Sequence, residues 1–134
     1  MKYRYLGNTG LLVSRICLGT MTFGNKEWGC DEAMAKQITR AFLDAGGDFI
    51  DTADIYSNGV SEQMLKECLK GVPRDDVVVG TKCWFKMGKS QNAKGVSILC
   101  LFSGIKIILA FNKITSFFIS FYRIVCGLRY QNSF

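Results

Sequence analysis

A carboxylate, a phenol and an ammonium follow two neighbouring apolar runs in this sequence. Asp51 ends the run D-F-I-D, Tyr56 comes shortly after it, and Lys82 ends the run D-V-V-V-G-T-K. Tyrosine has an ordinary pKa of about 10 and is a poor acid at neutral pH, but a nearby ammonium stabilises the phenolate form, and a carboxylate can hold that ammonium. A phenol in this setting can protonate a carbonyl oxygen while a hydride reaches the carbonyl carbon. The three residues therefore predict general acid catalysis, provided that the fold brings them together.

Three apolar runs predict the strands that would position these side chains. They cover residues 14–20, 48–51 and 76–82, and each is rich in β-branched or aromatic residues. The residues before them, Tyr3 to Val13 with a turn at Gly7–Gly10, predict a small β-hairpin.

Two helical segments separate the three predicted strands. Asp31 is a candidate N-cap for the first helix and Ser61 for the second, because short polar side chains can accept a hydrogen bond from the first turn. Apolar residues at helical spacing form one stripe in each: Met34, Ile38, Ala41, Phe42 and Ala45 in the first, and Met64, Leu65, Cys68 and Leu69 in the second.

The resulting order, hairpin then β-α-β-α-β, predicts an α/β fold with a parallel sheet covered by helices. The carboxyl ends of parallel strands lie at one edge of a sheet, where α/β folds place their active sites. Asp51, Tyr56 and Lys82 should therefore meet at that edge, together with the loop Gly19-Thr20-Met21 of the first strand and Trp84 of the third.

Composition separates the chain into two parts. Residues 1–76 contain all 11 acidic residues and 9 Lys/Arg, for a net charge of −2, whereas residues 77–134 contain 8 Lys/Arg and no acid, for a net charge of +8. The excess of positive charge thus lies in the second part. The overall charge of +6 is therefore not taken as evidence for nucleic-acid binding. The longest uncharged run there, residues 95–105, falls well short of the roughly 20 residues that a membrane span needs.

The six cysteines are scattered, with no C-x-x-C pair, and the chain contains no histidine. This pattern predicts no metal site and is typical of reduced core thiols. The start of the chain has no signal-peptide-like apolar stretch, so we expect a cytoplasmic protein.

Four motifs together resemble the successive signatures of the aldo-keto reductase family. They are L-G-x-x-G, S-R-I-C-L-G-T-M-T-F-G, F-I-D-T-A-D-I-Y-S-N-G-V-S-E and V-V-V-G-T-K, and the resemblance covers about residues 3–95. It implies part of a (β/α)8 TIM barrel, the cofactor NADP(H), and reduction of small aldehydes or ketones to alcohols.

The resemblance also implies roles for individual residues. Tyr56 would be the acid, Lys82 its cationic partner and Asp51 the anchor of the lysine. Gly19, Thr20, Met21 and Asp51 would bind the cofactor, and Trp84 would line the substrate pocket. The family's fourth catalytic residue is a histidine, which this chain lacks.

Residues 96–134 do not match these motifs and form an apolar, basic tail without acids. We predict a truncated reductase domain at 1–95 that is inactive as written, followed by a tail that arises from intron or shifted-frame translation. The alternative function is a non-enzymatic regulatory protein of the potassium-channel β-subunit type, since that fold also serves channels. A third hypothesis, ranked last, is that the basic tail attaches the chain to a membrane surface.

Overall fold

The computed structural model describes residues 1–83, 85–86, 88–89 and 91. Trp84 and the predicted tail at 96–134 lie outside these residues. Five strands and two α-helices are present within them, and they alternate as an α/β fold requires. The strands are β1 (Tyr3–Tyr5), β2 (Leu12–Ser14), β3 (Cys17–Gly19), β4 (Phe49–Asp51) and β5 (Val78–Gly80), and the helices are α1 (Glu32–Asp44) and α2 (Val60–Cys68).

The predicted parallel sheet is confirmed. Its strands lie in the order β3-β4-β5, and both neighbouring pairs are parallel. Leu18 pairs with Ile50, and Ile50 pairs with Val79. Because α1 connects β3 to β4 and α2 connects β4 to β5, each parallel pair has the helical crossover that its geometry demands.

The predicted hairpin is also confirmed, with β1 and β2 antiparallel. The first parallel strand is shorter than predicted, because Ser14 ends β2 and β3 begins only at Cys17. Ser14 joins the two sheets: its amide donates to Asp48 Oδ1 at 2.6 Å, and its hydroxyl oxygen accepts from the Asp48 amide at 3.2 Å. The third strand is shorter too, since Asp76 lies in a 3-10 turn, Arg74–Asp76, before β5.

Helix α1 begins as predicted, but its buried face only partly matches the predicted stripe, in which Ile38 and Phe42 are half-buried and Ala41 and Ala45 are exposed. Asp31 is the N-cap, and its carboxylate accepts from the Met34 amide at 2.9 Å. The buried residues are Ala35 and Thr39, whereas Met34 is 48% exposed. The small side chains at 35 and 39 lie one turn apart and allow α1 to pack closely against its neighbours, including α2.

The prediction that Ser61 caps α2 was wrong. The N-cap is Gly59, with φ +88°, and the two residues before it, Ser57 and Asn58, are also left-handed, with φ +51° and +54°. A glycine adopts this conformation without the steric cost that a Cβ atom brings. The helix therefore begins at Val60, and Ser61 is buried inside its first turn.

The core lies between one face of the sheet and the two helices. Ile50, Leu65, Val77 and Val79 are buried, and partly buried side chains surround them: Leu18, Phe42, Leu43, Leu69 and Val72. Burying a side chain of this size contributes about 1.5–3 kcal/mol relative to leaving it exposed. The core thus packs the sheet against α2. This helix also contains residues that lie next to the site.

The other face of the sheet carries the alternate residues of each strand. Cys17, Phe49 and Val78 form one row across it, and Gly19, Asp51 and Gly80 form the next row, at the carboxyl ends. Cys17 is exposed there, so its prediction as a core thiol is not met. Within the described residues, no helix is long and apolar enough to span a membrane.

Candidate functional site

Asp51 and Lys82 meet at the carboxyl edge of the sheet. Asp51 is the last residue of β4, and Lys82 follows the end of β5. The Lys82 ammonium donates to both carboxylate oxygens of Asp51, at 2.8 and 2.7 Å, and to the Thr52 carbonyl oxygen at 2.7 Å. The two side chains are 37% and 47% exposed, so the pair is accessible to a ligand. A half-exposed ion pair contributes little to the stability of the fold. Its effect here is to fix the position of the Lys82 charge.

Tyr56 lies on the other side of the same ammonium. The Lys82 nitrogen is 5.0 Å from the centroid of the Tyr56 ring, within the range of a cation–π interaction. The Tyr56 amide donates to the Ala53 carbonyl at 3.2 Å, and the Ser57 hydroxyl donates to the Phe23 carbonyl at 2.9 Å. These bonds hold the turn that carries the phenol. The structure therefore brings together the three residues that the sequence placed at this edge, while their catalytic roles stay predictions.

The first-strand loop carries the other three residues of the predicted cofactor-binding set, Gly19, Thr20 and Met21. Gly19 pairs with Asp51 in the sheet and is exposed, and Met21 is 52% exposed. Thr20 is fully buried, and its amide donates to the Asp51 carbonyl at 3.0 Å. The Thr20 side chain therefore lies on the buried side of this edge, and its role in cofactor binding stays a prediction. Trp84, predicted to line the substrate pocket, lies outside the described residues.

Two buried carboxylates next to the site were not predicted from the sequence. Asp54 is 8% exposed and Glu62 is 5% exposed, and each has a buried oxygen that finds no hydrogen-bond partner in the part of the chain that the structure describes. Burial raises the pKa of both groups; for Glu62 a hydrogen bond from Thr81 opposes this shift, and the nearby Asp54 charge adds to it. The signal in the sequence was spacing, because Ser61 and Glu62 precede Leu65 by one helical turn and so share its buried face.

The raised pKa of Glu62 predicts that this residue destabilises the fold as pH rises. A carboxyl group whose pKa is higher in the folded chain stabilises it below the ordinary value of 4.5, and that contribution is lost as pH rises through the folded value. We therefore expect Glu62→Gln to raise the free energy of unfolding relative to the parent more at pH 7.5 than at pH 4. Urea unfolding at the two pH values measures the difference.

Glu67 provides the matched control on the same helix. Its pKa is lowered, mainly by its hydrogen bond with Lys70, so Glu67→Gln should show the opposite dependence, with the variant losing stability relative to the parent at the higher pH. An equal effect of Glu62→Gln at both pH values would contradict the prediction.

Comparison with known proteins connects this geometry to a family. The model for the Aldo/keto reductase family matches residues 15–103, which is more than half of the chain. The chain belongs to the aldo/keto reductase family. The match extends past residue 95, so residues 96–103, assigned above to the tail, lie inside the matched segment.

Two curated relatives illustrate the similarity. A probable voltage-gated potassium channel subunit beta from Oryza sativa is 38% identical over 109 residues, which cover 79% of this chain and 32% of the relative. An aldo-keto reductase from Fusarium vanettenii is 40% identical over 95 residues, which cover 67% of this chain and 26% of the relative. The chain thus spans about a third or less of the length of these relatives.

A solved structure gives the same result for the fold. An aldo-keto reductase from Bacillus halodurans, in its holo form, superposes with a TM-score of 0.66 at 34% identity. The superposition covers 83% of this chain and 36% of that one. The described α/β unit therefore corresponds to part of an aldo-keto reductase barrel.

Proposed function

We propose that this chain carries the catalytic edge of an NADP(H)-dependent oxidoreductase that reduces small aldehydes or ketones to alcohols. The observation that supports this most directly is the Lys82 ammonium, bound to both oxygens of Asp51 and placed over the ring of Tyr56. Family membership supports the reaction class. Trp84 as a pocket residue and a cytoplasmic location are part of the same proposal.

Each residue of the triad has a task in this proposal. Tyr56 gives its phenolic proton to the substrate oxygen, so that the phenol O–H bond breaks and the alcohol O–H bond forms. Lys82 stabilises the negative charge that stays on the phenol oxygen, because a nearby ammonium attracts the phenolate. This attraction is strongest where water is partly excluded. Asp51 holds Lys82 in place through two charge-assisted hydrogen bonds.

The residues at the strand ends fit a nicotinamide nucleotide. A Cβ atom built on Gly19 would meet nothing within 4 Å, so the backbone opposite Asp51 is open to a ligand. The half-exposed Asp51 carboxylate can accept hydrogen bonds from ribose hydroxyls, and Gly19 and Met21 would contact the same part of the cofactor. When bound, the nicotinamide supplies the hydride.

Cofactor binding by the chain tests this proposal. Titration of the protein into NADPH, followed by nucleotide fluorescence, should show saturable binding. Asp51→Asn keeps the shape but removes the charge that holds Lys82, and it should weaken NADPH binding about 10- to 150-fold, since a hydrogen bond to a charged group contributes about 1.5–3 kcal/mol. Asp44→Asn, in the exposed last turn of α1, is the control and should bind like the parent.

A second candidate is a regulatory protein of the potassium-channel β-subunit type. It is favoured by the Oryza sativa relative, whose name describes such a subunit, and by the lack of a histidine in the chain. Saturable NADPH binding without turnover of any aldehyde would support this candidate and agrees with the inactivity predicted from the sequence. Failure to bind NADPH would contradict the oxidoreductase proposal and leave the regulatory candidate.

A further inference from the structure

Three threonines form a polar layer directly beneath the catalytic edge. Each lies two residues beyond one of the paired core residues Leu18, Ile50 and Val79, and so on the helix-facing side of its strand: Thr20, Thr52 and Thr81. Thr20 and Thr52 are buried, and Thr81 is half-buried. We call these three residues the threonine layer.

The first turn of α2 is hydrogen-bonded to the whole threonine layer. The Ser61 hydroxyl donates to the Thr20 carbonyl oxygen at 2.7 Å, and it lies 3.0 Å from Thr20 Oγ1 and 3.4 Å from Thr52 Oγ1. The Thr81 hydroxyl donates to Glu62 Oε1 at 2.6 Å. Two consecutive helical residues therefore contact the ends of all three parallel strands.

Stability of the fold does not account for a carboxylate at position 62. Among the described residues, one oxygen of Glu62 is buried without a hydrogen-bond partner, and leaving a buried polar group unsatisfied costs about 1–3 kcal/mol. An apolar side chain of similar size would avoid that cost next to the buried Leu65. What only an acceptor at this position provides is the bond to Thr81.

Thr81 immediately precedes Lys82, and the two side chains project to opposite sides of the extended chain. The Lys82 carbonyl accepts from the Asp54 amide at 3.1 Å, which fixes the backbone on the β4 side. Glu62 fixes it on the helix side through Thr81. The flexible Lys82 stem therefore starts from a backbone that is held on both sides, which limits where its ammonium can lie.

We propose that Glu62 is a positioning residue, which acts through the Thr81 hydroxyl to hold Lys82 against Asp51. The significance of this role for a reaction rests on the function proposed above, but the geometric claim does not. The Glu62 carboxylate also interacts electrostatically with Lys82, but its hydrogen bond is to Thr81, the residue before Lys82.

Chemical modification of Lys82 tests this claim in the full chain without any cofactor. Trinitrobenzenesulfonate reacts with free amines, and an ammonium held by three acceptors reacts slowly because it must leave them first. Glu62→Leu and Thr81→Val each remove the bond between the two residues and should raise the modification rate of Lys82, measured by peptide mass spectrometry, about three- to tenfold, the range equivalent to one hydrogen bond. Glu62→Gln keeps an acceptor for Thr81 and should stay within about twofold of the parent.

Two controls separate positioning from general loosening of the fold. Glu67→Leu, at a more exposed position of the same helix, should leave the Lys82 rate unchanged, and the rate of Lys36, in an ion pair on α1, should be the same in every variant. Parent-like rates in Thr81→Val, which removes only the hydroxyl, would overturn the proposal, and so would an equal rise at Lys36 and Lys82. A lack of reductase activity would leave this result intact, so the two proposals fail separately.

Discussion

Replacing Tyr56 with Phe is expected, under the oxidoreductase proposal, to lower NADPH-dependent reduction of an aromatic aldehyde by about 10²–10⁴-fold; under the inactivity predicted from the sequence, parent and variant would both show no turnover. The substitution keeps the ring over which Lys82 lies, 5.0 Å from the nitrogen, and removes only the hydroxyl that carries the proton. The factor is the usual contribution of a positioned general acid. The rate of NADPH oxidation at saturating aldehyde, followed by absorbance, measures the effect.

The control for this substitution is Tyr5→Phe. Tyr5 lies in the hairpin and is 63% exposed, and its hydroxyl is remote from the sheet edge in the topology of the fold. That variant should reduce the aldehyde at the parent rate. Turnover that survives in Tyr56→Phe would show that another group supplies the proton, and it would remove the main support for the proposed reaction.

Replacing Leu65 with Ala is expected to lower the free energy of unfolding by about 2–5 kcal/mol, as is usual for deletion of a fully buried leucine side chain. Leu65 is fully buried in α2 and packs with Ile50, Val77 and Val79, so its removal leaves a cavity between helix and sheet. Urea unfolding measures the loss. Because most domains have only about 5–15 kcal/mol of stability in total, the variant should unfold at a much lower urea concentration.

Leu12→Ala is the matched control, since Leu12 is 52% exposed in the hairpin. The same deletion of three carbons there should change the free energy of unfolding by less than about 0.5 kcal/mol. A loss below about 1 kcal/mol in Leu65→Ala would mean that the core described between α2 and the sheet is not the one that stabilises the chain.

Sequence alone predicted that Asp51 and Lys82 lie close together, because their positions follow a simple rule. Parallel strands end at one edge, so Asp51 and Lys82, each at the end of an apolar run, had to lie close together. The N-cap at Asp31 followed from an equally local rule, since the acceptor and the amide that it binds are three residues apart.

The predictions that failed depended on information that is not local. Serine is a residue type that commonly caps helices. Here, however, three left-handed residues ending at Gly59 precede the helix, which begins at Val60. The Ser61 hydroxyl is buried and donates to the Thr20 carbonyl oxygen. In α1, hydropathy favoured Met34, whereas packing buried the small residues Ala35 and Thr39. A hydropathy pattern does not show which side chains lie where two elements approach most closely, although small size there decides how closely a helix can pack.

Glu62 was missed because its burial depends on contacts between distant elements, and the burial of Thr20 depends on contacts of the same kind. Both are polar residues at positions where a sequence pattern predicts either solvent or a ligand, and both are buried in hydrogen bonds between elements far apart in the chain. Only the strand register, which sets Thr20, Thr52 and Thr81 side by side, shows that one helical turn can bind them together.

The run of positive φ angles at Ser57, Asn58 and Gly59 constrains how this loop can vary in length. Tyr56 and α2 are joined by these three residues alone, and each successive position along an α-helix is rotated by about 100°. An insertion or deletion that changed the phase of α2 would turn Ser61 and Glu62 away from the strands, even if Tyr56 itself stayed in place. Homologous loops of different length can therefore keep this arrangement only when the added or removed residues restore the same helical phase.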